Sequence, residues 1–244
     1  MPLKKIRCCG NRHGLRDIWW NAFMVKDASF SEGSDIPFCP TTAKELPKSI
    51  ITYSEAVTIY NKKIAHAENN FFIDSFICFY IDDYRFDGPE GIWFKPLKAL
   101  NIIRHFAGII TPDFSTNVDY PDALKRWNTY RSRAFGYWCG REGIAVLNNF
   151  RWGFEETFEY CCHGIPKHDI ICIGSVASGL KTLRGQELFS RYFFKGLEEL
   201  EPKIILVYGG ASYKVFDVVR MMGIKVIEYP STRNRNYCFD RSCI

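Results

Sequence analysis

The chain has 244 residues, of which 47% are hydrophobic and 16% aromatic, and this is enough to bury one substantial core. The formal net charge of +5, from 32 Lys and Arg against 27 Asp and Glu, is scattered along the chain. It therefore argues against the basic stripe of a strong nucleic-acid-binding protein and leaves a mild preference for polyanions. Because no run of about 18 apolar residues and no apolar segment behind the basic N-terminus occur, we expect no membrane span, no signal peptide and a cytoplasmic location.

The two ends of the chain differ from its middle. Residues 1–47 have no sustained hydrophobic period and are interrupted by Gly, Pro and Ser, which predicts an irregular arm packed on the body, with one short strand at IPFC (36–39). The last segment, 231–244, is basic and contains cysteine. Between them we expect a single α/β domain at residues 48–230, whose first helix begins with Ser54 as the N-cap.

From residue 71 onward, strand-like and helix-like segments alternate. The first strand-like segment is almost continuously apolar, as expected for a strand buried on both faces of a parallel sheet. Gly143, Pro202 and Gly223 mark helix ends just before the next strand. The predicted strands are FFIDSFICFYI (71–81), GIIT (108–111), IAVLNNF (144–150), DIICIGS (169–175), KIILVYGG (203–210) and KVIEYP (225–230), and the predicted helices span 95–106, 122–140, 154–162, 185–200 and 212–222.

The repeated β-α order predicts an α/β fold with a mostly parallel sheet of six strands, or seven with IPFC. Parallel strands need crossovers of about a dozen residues or more, and the spacings provide them. The sheet is either barrel-like, as an incomplete TIM-like ring, or open and doubly wound. Polar loops marked by Gly or Pro follow nearly every strand, which favours the barrel-like arrangement, because an open sheet concentrates such loops at its switch point.

Three acids follow two strands of the predicted sheet. Asp82 and Asp83 come after FFIDSFICFYI, and Asp113 comes after GIIT. In α/β folds, ligands bind where the carboxyl ends of the strands meet the following loops. Carboxylates that converge there could bind Mg²⁺ together with phosphate oxygens, or one of them could act as a general acid or base. The plainer interpretation is that Asp82 and Asp83 cap turns and that Asp113 satisfies backbone donors.

Other residues at the same strand ends complete the predicted site. Arg151 in NNFRWG offers a planar guanidinium for bidentate binding of phosphate or carboxylate, and the indole of Trp152 can stack on a base or sugar. The plainer interpretation places Trp152 in the core and pairs Arg151 with an acid. The loops GSVASG and GGAS have small residues whose backbone N–H groups can cradle an anion, although neither matches a dinucleotide or P-loop motif. The predicted substrate-binding residues are Ser115, Asn149, Trp152, Ser175 and Gly209.

Basic residues and cysteines favour plainer roles. The helix at 122–140 carries Lys125, Arg126 and Arg133, which we expect on a solvated face. Ten cysteines in a cytosolic chain predict reduced thiols rather than disulfides. The cysteine and histidine groups, such as CCH at 161–163, lack the C-x₂-C spacing of zinc sites, so we expect Mg²⁺ rather than zinc as a metal cofactor.

Several long segments are distinctive: IPFCPTT, FICFYIDDYRFDGPEGIW, HFAGIITPDFS, WNTYRSRAFGYW, NNFRWG, GIPK, IGSV and ILVYGG. Together they resemble the bacterial and phage family catalogued as domain of unknown function 4417, over about residues 34–230. That family has no assigned activity to carry over. Its occurrence in phages and mobile elements implies a protein in the cytoplasm of the bacterial host cell that acts during infection or element maintenance.

Two functions follow as hypotheses. The first is an enzyme that acts on a nucleotide or nucleic acid by Mg²⁺-assisted phosphoester or glycosidic hydrolysis. In it, Asp82 and Asp83 are metal ligands, Asp113 is a metal ligand or general base, and Arg151 is the electrophilic clamp. The alternative is a non-catalytic protein that binds DNA, a nucleotide signal or a host protein during infection or anti-defence, with basic residues in LKKIR and TRNRNYCFDR as contacts.

Overall fold

A computed structural model of the chain describes residues 3–5 and 19–232. Within these ranges the strands are β1 (Leu3–Lys5), β2 (Ser29–Ser31), β3 (Ile50–Thr52), β4 (Ile73–Cys78), β5 (Phe106–Ile110), β6 (Ala145–Asn149), β7 (Ile170–Gly174), β8 (Ile204–Tyr208) and β9 (Lys225–Tyr229). The α-helices are α1 (Tyr53–Ala65), α2 (Pro96–Ile103), α3 (Asp122–Arg141), α4 (Leu183–Leu200) and α5 (Lys214–Met221). None of the described helices is long and apolar enough to cross a membrane.

The strands β3 to β9 form one parallel sheet in which each strand pairs with the next one along the chain. This sequential order excludes the doubly wound alternative, in which the strand order reverses at a switch point. The sheet curls into a half-barrel flanked by the five helices, so the predicted α/β, barrel-like fold is confirmed. The short strands β1 and β2 form a separate antiparallel pair.

One of the seven strands is not the one predicted. IPFC is not a strand, and Pro37 makes only an isolated antiparallel bridge with Phe30. The seventh strand is β3, whose three residues are too few for a hydrophobic period to reveal. Helix α1 follows it at once, with Thr52 rather than Ser54 as the N-cap. The Thr52 hydroxyl accepts a hydrogen bond from the Glu55 N–H, and the Glu55 carboxylate accepts one from the Thr52 N–H, which makes a reciprocal capping box.

The segment predicted as a helix at 154–162 contains only a short 3-10 helix, Glu155–Glu159. A side-chain hydroxyl explains the difference. The Thr157 hydroxyl accepts a hydrogen bond from the Gly153 N–H at 3.0 Å and donates one to the Phe154 carbonyl at 2.7 Å. Threonine hydroxyls that bond to the nearby backbone in this way compete with α-helix formation.

The alternating side chains of the strands divide the core into an outer and an inner layer. Outward side chains such as Ile77 and Val146 pack with α1 to α3, and Ile173 and Val207 pack with α4 and α5. Inward side chains from all seven strands fill the lumen as one apolar cluster, which comprises Ile50, Phe76, Cys78, Ile110, Leu147, Cys172, Leu206, Tyr208 and Tyr229. The lumen is thus a packed core and not a channel.

Side chains also join the first and last strands of the sheet. The Tyr229 hydroxyl, at the end of β9, donates a 2.6 Å hydrogen bond to the carbonyl of Pro47, just before β3. The Thr232 hydroxyl donates to the Glu55 carboxylate in the first turn of α1, at 3.0 Å. The half-barrel is therefore tied across its open side by side-chain hydrogen bonds.

The arm that precedes β3 packs on this body. Met24 and Val25 are fully buried, the Trp93 indole donates to the Trp19 carbonyl at 2.8 Å, and the Thr42 hydroxyl donates to the Ile144 carbonyl at 3.0 Å. The cysteines between residues 19 and 232 are buried thiols that form no disulfide. Most of the basic residues that we named as DNA contacts lie in segments 6–18 and 233–244, outside the described residues, so that role stays a prediction.

Candidate ligand site at the carboxyl ends of the strands

Three residues of the predicted site meet at the carboxyl ends of β5 and β6. The Asp113 carboxylate accepts a hydrogen bond from the Asn149 side-chain amide (Oδ1 to Nδ2, 2.8 Å) and pairs with the Arg151 guanidinium (Oδ2 to Nη1, 3.4 Å). The Asn149 amide oxygen in turn accepts a hydrogen bond from the Tyr80 hydroxyl at 3.0 Å. We call these four residues, Tyr80, Asp113, Asn149 and Arg151, the carboxyl-end site.

Local structure fixes the orientation of this network. Asn149 is the last residue of β6, and its backbone N–H donates to the hydroxyl of Thr111, which directly follows β5, at 2.9 Å. Because an ionised carboxylate only accepts hydrogen bonds, Asn149 must present its NH₂ group to Asp113 and its oxygen to Tyr80. Burial raises the pKa of the Tyr80 phenol well above its ordinary value, so the phenol stays a neutral donor.

Arg151 is the member of the site that is open to solvent. Its side chain is 41% exposed, whereas that of Asp113 is 12% exposed. Besides the Asp113 contact, Arg151 Nε donates to the Thr116 hydroxyl at 3.4 Å. Its Nη2 has no partner among the described residues, so this edge of the guanidinium is available for a phosphate or carboxylate.

The other two predicted acids have different surroundings. Both oxygens of Asp83 accept from Ser115, one from the backbone N–H at 3.0 Å and one from the hydroxyl at 2.9 Å. Burial raises the pKa of Asp83, and these hydrogen bonds oppose the rise. Asp82 is 72% exposed and lies 3.7 Å from Arg85. Asp83 and Ser115 therefore come together to hold the loop after β5, while Asp82 is solvated.

Asp82, Asp83 and Asp113 do not form a ready-made group of three metal ligands in the described part of the chain. Across residues 19–232, no group of three His, Cys, Asp or Glu side chains could hold a metal ion. The oxygens of Asp83 and Asp113 already accept hydrogen bonds from Ser115, Asn149 and Arg151. A Mg²⁺ ion held by one carboxylate and by the phosphate oxygens of a ligand needs fewer protein groups.

The remaining predicted residues divide into a loop pair and a core residue. Ser175 and Gly209 are neighbours after β7 and β8, since a Cβ added to Gly209 would lie 2.4 Å from the Ser175 hydroxyl oxygen. The φ of +113° at Gly209 also favours glycine. The Trp152 ring packs on the aromatic core, 4.9 Å from Phe150 and 5.7 Å from Phe193 between ring centroids, in agreement with the plainer interpretation.

The prediction of a solvated basic face on α3 is wrong for two of its three residues. Lys125 is 3% exposed and Arg133 is 1% exposed, while Arg126 is 32% exposed. Lys125 forms a 2.5 Å ion pair with Glu156 in the neighbouring 3-10 helix. The helical period shows which side of α3 meets the sheet, but it does not show that loops also cover the opposite side.

Two tyrosines at this end of the lumen escaped prediction. Tyr80 and Tyr208 each stand two residues after an inward-facing residue, Cys78 and Leu206. Since strand side chains alternate, that spacing places both rings on the inner face at the carboxyl ends. The signal was present in FICFYI and ILVY, but long apolar runs do not show which alternate positions face the lumen.

A cavity lies at the opposite end of the sheet from the carboxyl-end site. It has a volume of about 440 Å³, with Phe76, Ala107 and Ala145 among its lining residues and the Lys48–Asp74 ion pair at its edge. This volume suits a small organic ligand. However, it lies at the amino ends of β4 to β6, the end at which barrel folds carry stabilising rather than catalytic residues.

The fold and the site define the protein as an incomplete parallel β/α barrel with a polar carboxyl-end site. The chain belongs to the family described as Domain of unknown function (DUF4417), whose model matches residues 30–230, and this confirms the resemblance seen in the motifs. It is 34% identical over 161 residues to the Gene 1 protein of Mycobacterium phage D29, a match that covers 64% of this chain and 55% of that protein.

A second relative gives the same picture. The Gene 1 protein of Mycobacterium phage L5 is 35% identical over 132 residues, which are 54% of this chain and 56% of that protein. The chain therefore spans about half the length of the curated relatives that it matches. No solved structure matches it significantly. The relatives connect the chain to phages, and their names state no activity.

Proposed function

We propose that the carboxyl-end site binds the phosphate of a nucleotide or nucleic acid and hydrolyses a phosphoester or glycosidic bond of that ligand. The observation that supports this most is the half-exposed guanidinium of Arg151. Asp113 and Thr116 hold it on two sides, and one edge remains free at the end of the sheet where β/α folds bind ligands. Arginine suits this task because its planar fork matches phosphate geometry.

The hydrogen bonds of Asp113 support a role as general base. Its contact with Arg151 Nη1 is long, at 3.4 Å, and a phosphate that binds Arg151 through both Nη2 and Nη1 competes with Asp113 for the Nη1 N–H groups. Asn149 would keep one Asp113 oxygen in place through the 2.8 Å hydrogen bond, while the other becomes free to accept a proton from water. The oxygen of that water would form the new bond to phosphorus or to the sugar carbon, and the leaving group would depart with the electrons of the old bond.

In this proposal fewer protein carboxylates bind Mg²⁺ than the sequence predicts. Asp82 is solvated and can turn toward a phosphate-bound ion, whereas Asp83 would first have to release Ser115. A bound Mg²⁺ would neutralise charge that develops on the phosphate. Binding through Arg151 does not require the ion, so the two parts of the proposal can be tested separately.

Calorimetric titration of the full chain with nucleoside mono-, di- and triphosphates and with a short single-stranded oligonucleotide, with and without Mg²⁺, tests the binding. We expect Arg151→Gln to weaken binding about tenfold, the usual effect of losing one charge-assisted hydrogen bond. Arg104→Gln is the matched control, because Arg104 forms an exposed ion pair with Glu142 near the amino ends of the strands. Equal affinities for the two variants, or no binding by the unmodified protein, would refute the proposal.

The non-catalytic alternative rests on a specific observation. Every oxygen of Asp83 and Asp113 already accepts a hydrogen bond, as expected of groups that shape a binding site rather than react in it. Asp113→Asn separates the alternatives. An enzyme would keep its affinity and lose product formation in this variant, whereas a binding protein would form no product from any bound ligand even with Asp113 intact.

A further inference from the structure

Helix α3 carries three buried cations, and they differ in their partners. Lys125 pairs with Glu156 at 2.5 Å, and Arg131 pairs with Asp87 at 2.9 Å. Arg133 is the most deeply buried of the three, at 1% exposure. No carboxylate among the described residues forms an ion pair with it, so Arg133 differs from its two neighbours on the same helix.

Within residues 19–232, the Arg133 guanidinium donates its hydrogen bonds only to neutral oxygens. Its Nε donates to the His163 carbonyl and its Nη2 to the Cys161 carbonyl, both at 3.3 Å. Its Nη1 donates to the Thr111 hydroxyl at 3.4 Å and to the Ser132 hydroxyl at 3.3 Å. A guanidinium has five N–H groups, so these four long hydrogen bonds leave one N–H of Nη2 without an acceptor in the described structure.

Nearby thiols do not supply the missing negative charge. Burial raises the pKa of the Cys39 thiol to about 12. A hydrogen bond to Cys161, together with burial, raises the pKa of Cys162 well above its ordinary value. Both thiols are therefore neutral at physiological pH. Because a buried charge without a counter-charge is unfavourable, an anion that reaches Arg133 gains an unusually strong interaction.

Arg133 and Arg151 line the same small cavity, which lies between the loop at 112–116 and α3. We call it the Arg133 cavity. Its other lining residues are Pro112, Phe114, Thr116, Asn128, Thr129 and Ser132. Its volume of about 10 Å³ fits one oxygen-sized atom and not a whole phosphate. Since Arg151 is partly exposed, the rest of a ligand that inserts one atom can lie at the carboxyl-end site.

We propose that the Arg133 cavity is an oxyanion subsite that takes one terminal oxygen of a phosphate monoester between Arg133 and Arg151. This inference rests on the proposed function and narrows its ligand to a mononucleotide or a terminal phosphate. A monoester presents three unhindered oxygens to so small a cavity, whereas both non-bridging oxygens of an internal phosphodiester are flanked by two sugars. Among the described residues, Asp113 is the one carboxylate that forms an ion pair with either guanidinium, and two guanidinium groups beside one carboxylate favour the more highly charged monoester.

Calorimetry on the full chain with three probes tests the inference: adenosine 5′-monophosphate, the dinucleoside phosphate ApA and inorganic phosphate. We expect the monophosphate to bind at least about tenfold more tightly than ApA, and Arg133→Lys to weaken it about tenfold, because the guanidinium fork is lost. Arg126→Gln, a substitution on the surface of α3, is the control and should bind as the unmodified protein does. Equal binding of monophosphate and ApA, or full affinity in Arg133→Lys, overturns the inference.

The outcomes separate this inference from the proposed function. Binding that depends on Arg151 but not on Arg133 rejects the subsite and keeps the proposed function, whereas no binding of any probe rejects both. If Arg133→Lys does not fold, the unmodified protein crystallised with inorganic phosphate decides the question. A phosphate oxygen within about 3 Å of an Arg133 nitrogen supports the subsite. A cavity that holds only water, with phosphate elsewhere or absent, overturns it.

Discussion

Tyr80 and Tyr208 stack across the lumen, with ring centroids 5.6 Å apart and an interplanar angle of 21°. Tyr80 follows β4 and Tyr208 ends β8, four positions away in the sheet. In a flat sheet, four strand spacings would separate the two backbones by about 19 Å. The stack therefore exists because the sheet curls, and it connects the strand that supports Asn149 through Tyr80 with the opposite side of the half-barrel.

Replacing Tyr80 tests how much this stack contributes to stability. We expect Tyr80→Ala to lower the free energy of unfolding by about 3 kcal/mol, because a large ring leaves a cavity. Tyr80→Phe should lower it by about 1 kcal/mol through loss of the hydrogen bond to Asn149. Urea denaturation measures both. Tyr84→Ala is the control, since Tyr84 is 74% exposed, and a Tyr80→Ala effect no larger than that of Tyr84→Ala would contradict the account.

Two glycines make room for aromatic rings. A Cβ added to Gly174 would lie 2.6 Å from the Tyr80 ring, and one added to Gly196 would lie 2.0 Å from the Phe150 ring. We expect an alanine at either position to lower the free energy of unfolding by about 1–3 kcal/mol through overpacking. Gly210→Ala serves for comparison, because its nearest neighbouring atom is 3.9 Å away. Denaturation curves that are equally shifted for Gly174→Ala and Gly210→Ala would show that the ring contact is unimportant.

The ion pair between Arg131 and Asp87 should matter for folding. Arg131 is 7% exposed, lies 2.9 Å from the Asp87 carboxylate and has its guanidinium carbon 3.9 Å from the centre of the Phe114 ring. Arg131→Met leaves a partly buried carboxylate unpaired, so we expect a loss of about 3–5 kcal/mol in stability. The double variant with Asp87→Leu should recover part of this loss. Strictly additive effects in the double-mutant cycle would mean that the two residues do not interact.

The raised pKa of Asp83 predicts a specific pH dependence of stability. Burial raises its folded-state pKa above the unfolded value of about 3.9, so between these two values the folded protein binds more protons than the unfolded chain. The stability contributed by the protonated carboxyl is thus present below about pH 3.9 and is lost as the pH rises through the folded-state pKa. The difference in unfolding free energy between the native chain and Asp83→Asn, measured across this range, should show that fall. A pH-independent difference would argue against the raised pKa.

Hydrophobic patterns predict most of the fold because they report burial along one element at a time. The β-α order gave the parallel sheet, and the left-handed Gly143 and Gly223, both at φ +83°, end α3 and α5 as expected. Hydrophobic patterns do not predict segments that are very short or that bond to their own backbone. Strand β3 has only three residues, and the Thr157 hydroxyl interrupts a helix-like pattern. The polar loops in the sequence favour a curled sheet but do not establish it. Curling depends on contacts between distant strands, such as that of Tyr80 with Tyr208.

The sequence predicts three of the four residues of the carboxyl-end site and misses Tyr80. Asp113 follows β5, while Asn149 ends the adjacent strand β6 and Arg151 follows it, so the topology brings the three residues together as the sequence indicates. The polar side of α3 predicts that Arg133 is solvated, and a single sequence does not show that the segment at 161–163 covers it. Charged side chains that loops bury can be identified only from the tertiary structure.

A crystal structure of the protein with adenosine 5′-monophosphate bound would show where the nucleotide lies. We expect the phosphate at the carboxyl ends of β5 and β6, within about 3 Å of Arg151, and close to Asp113. In the same crystals the nucleotide could instead bind in the cavity of about 440 Å³ at the amino ends of the strands, beside Lys48 and Asp74. A nucleotide found there, with no ligand bound to Arg151, would contradict the carboxyl-end site as the place of function.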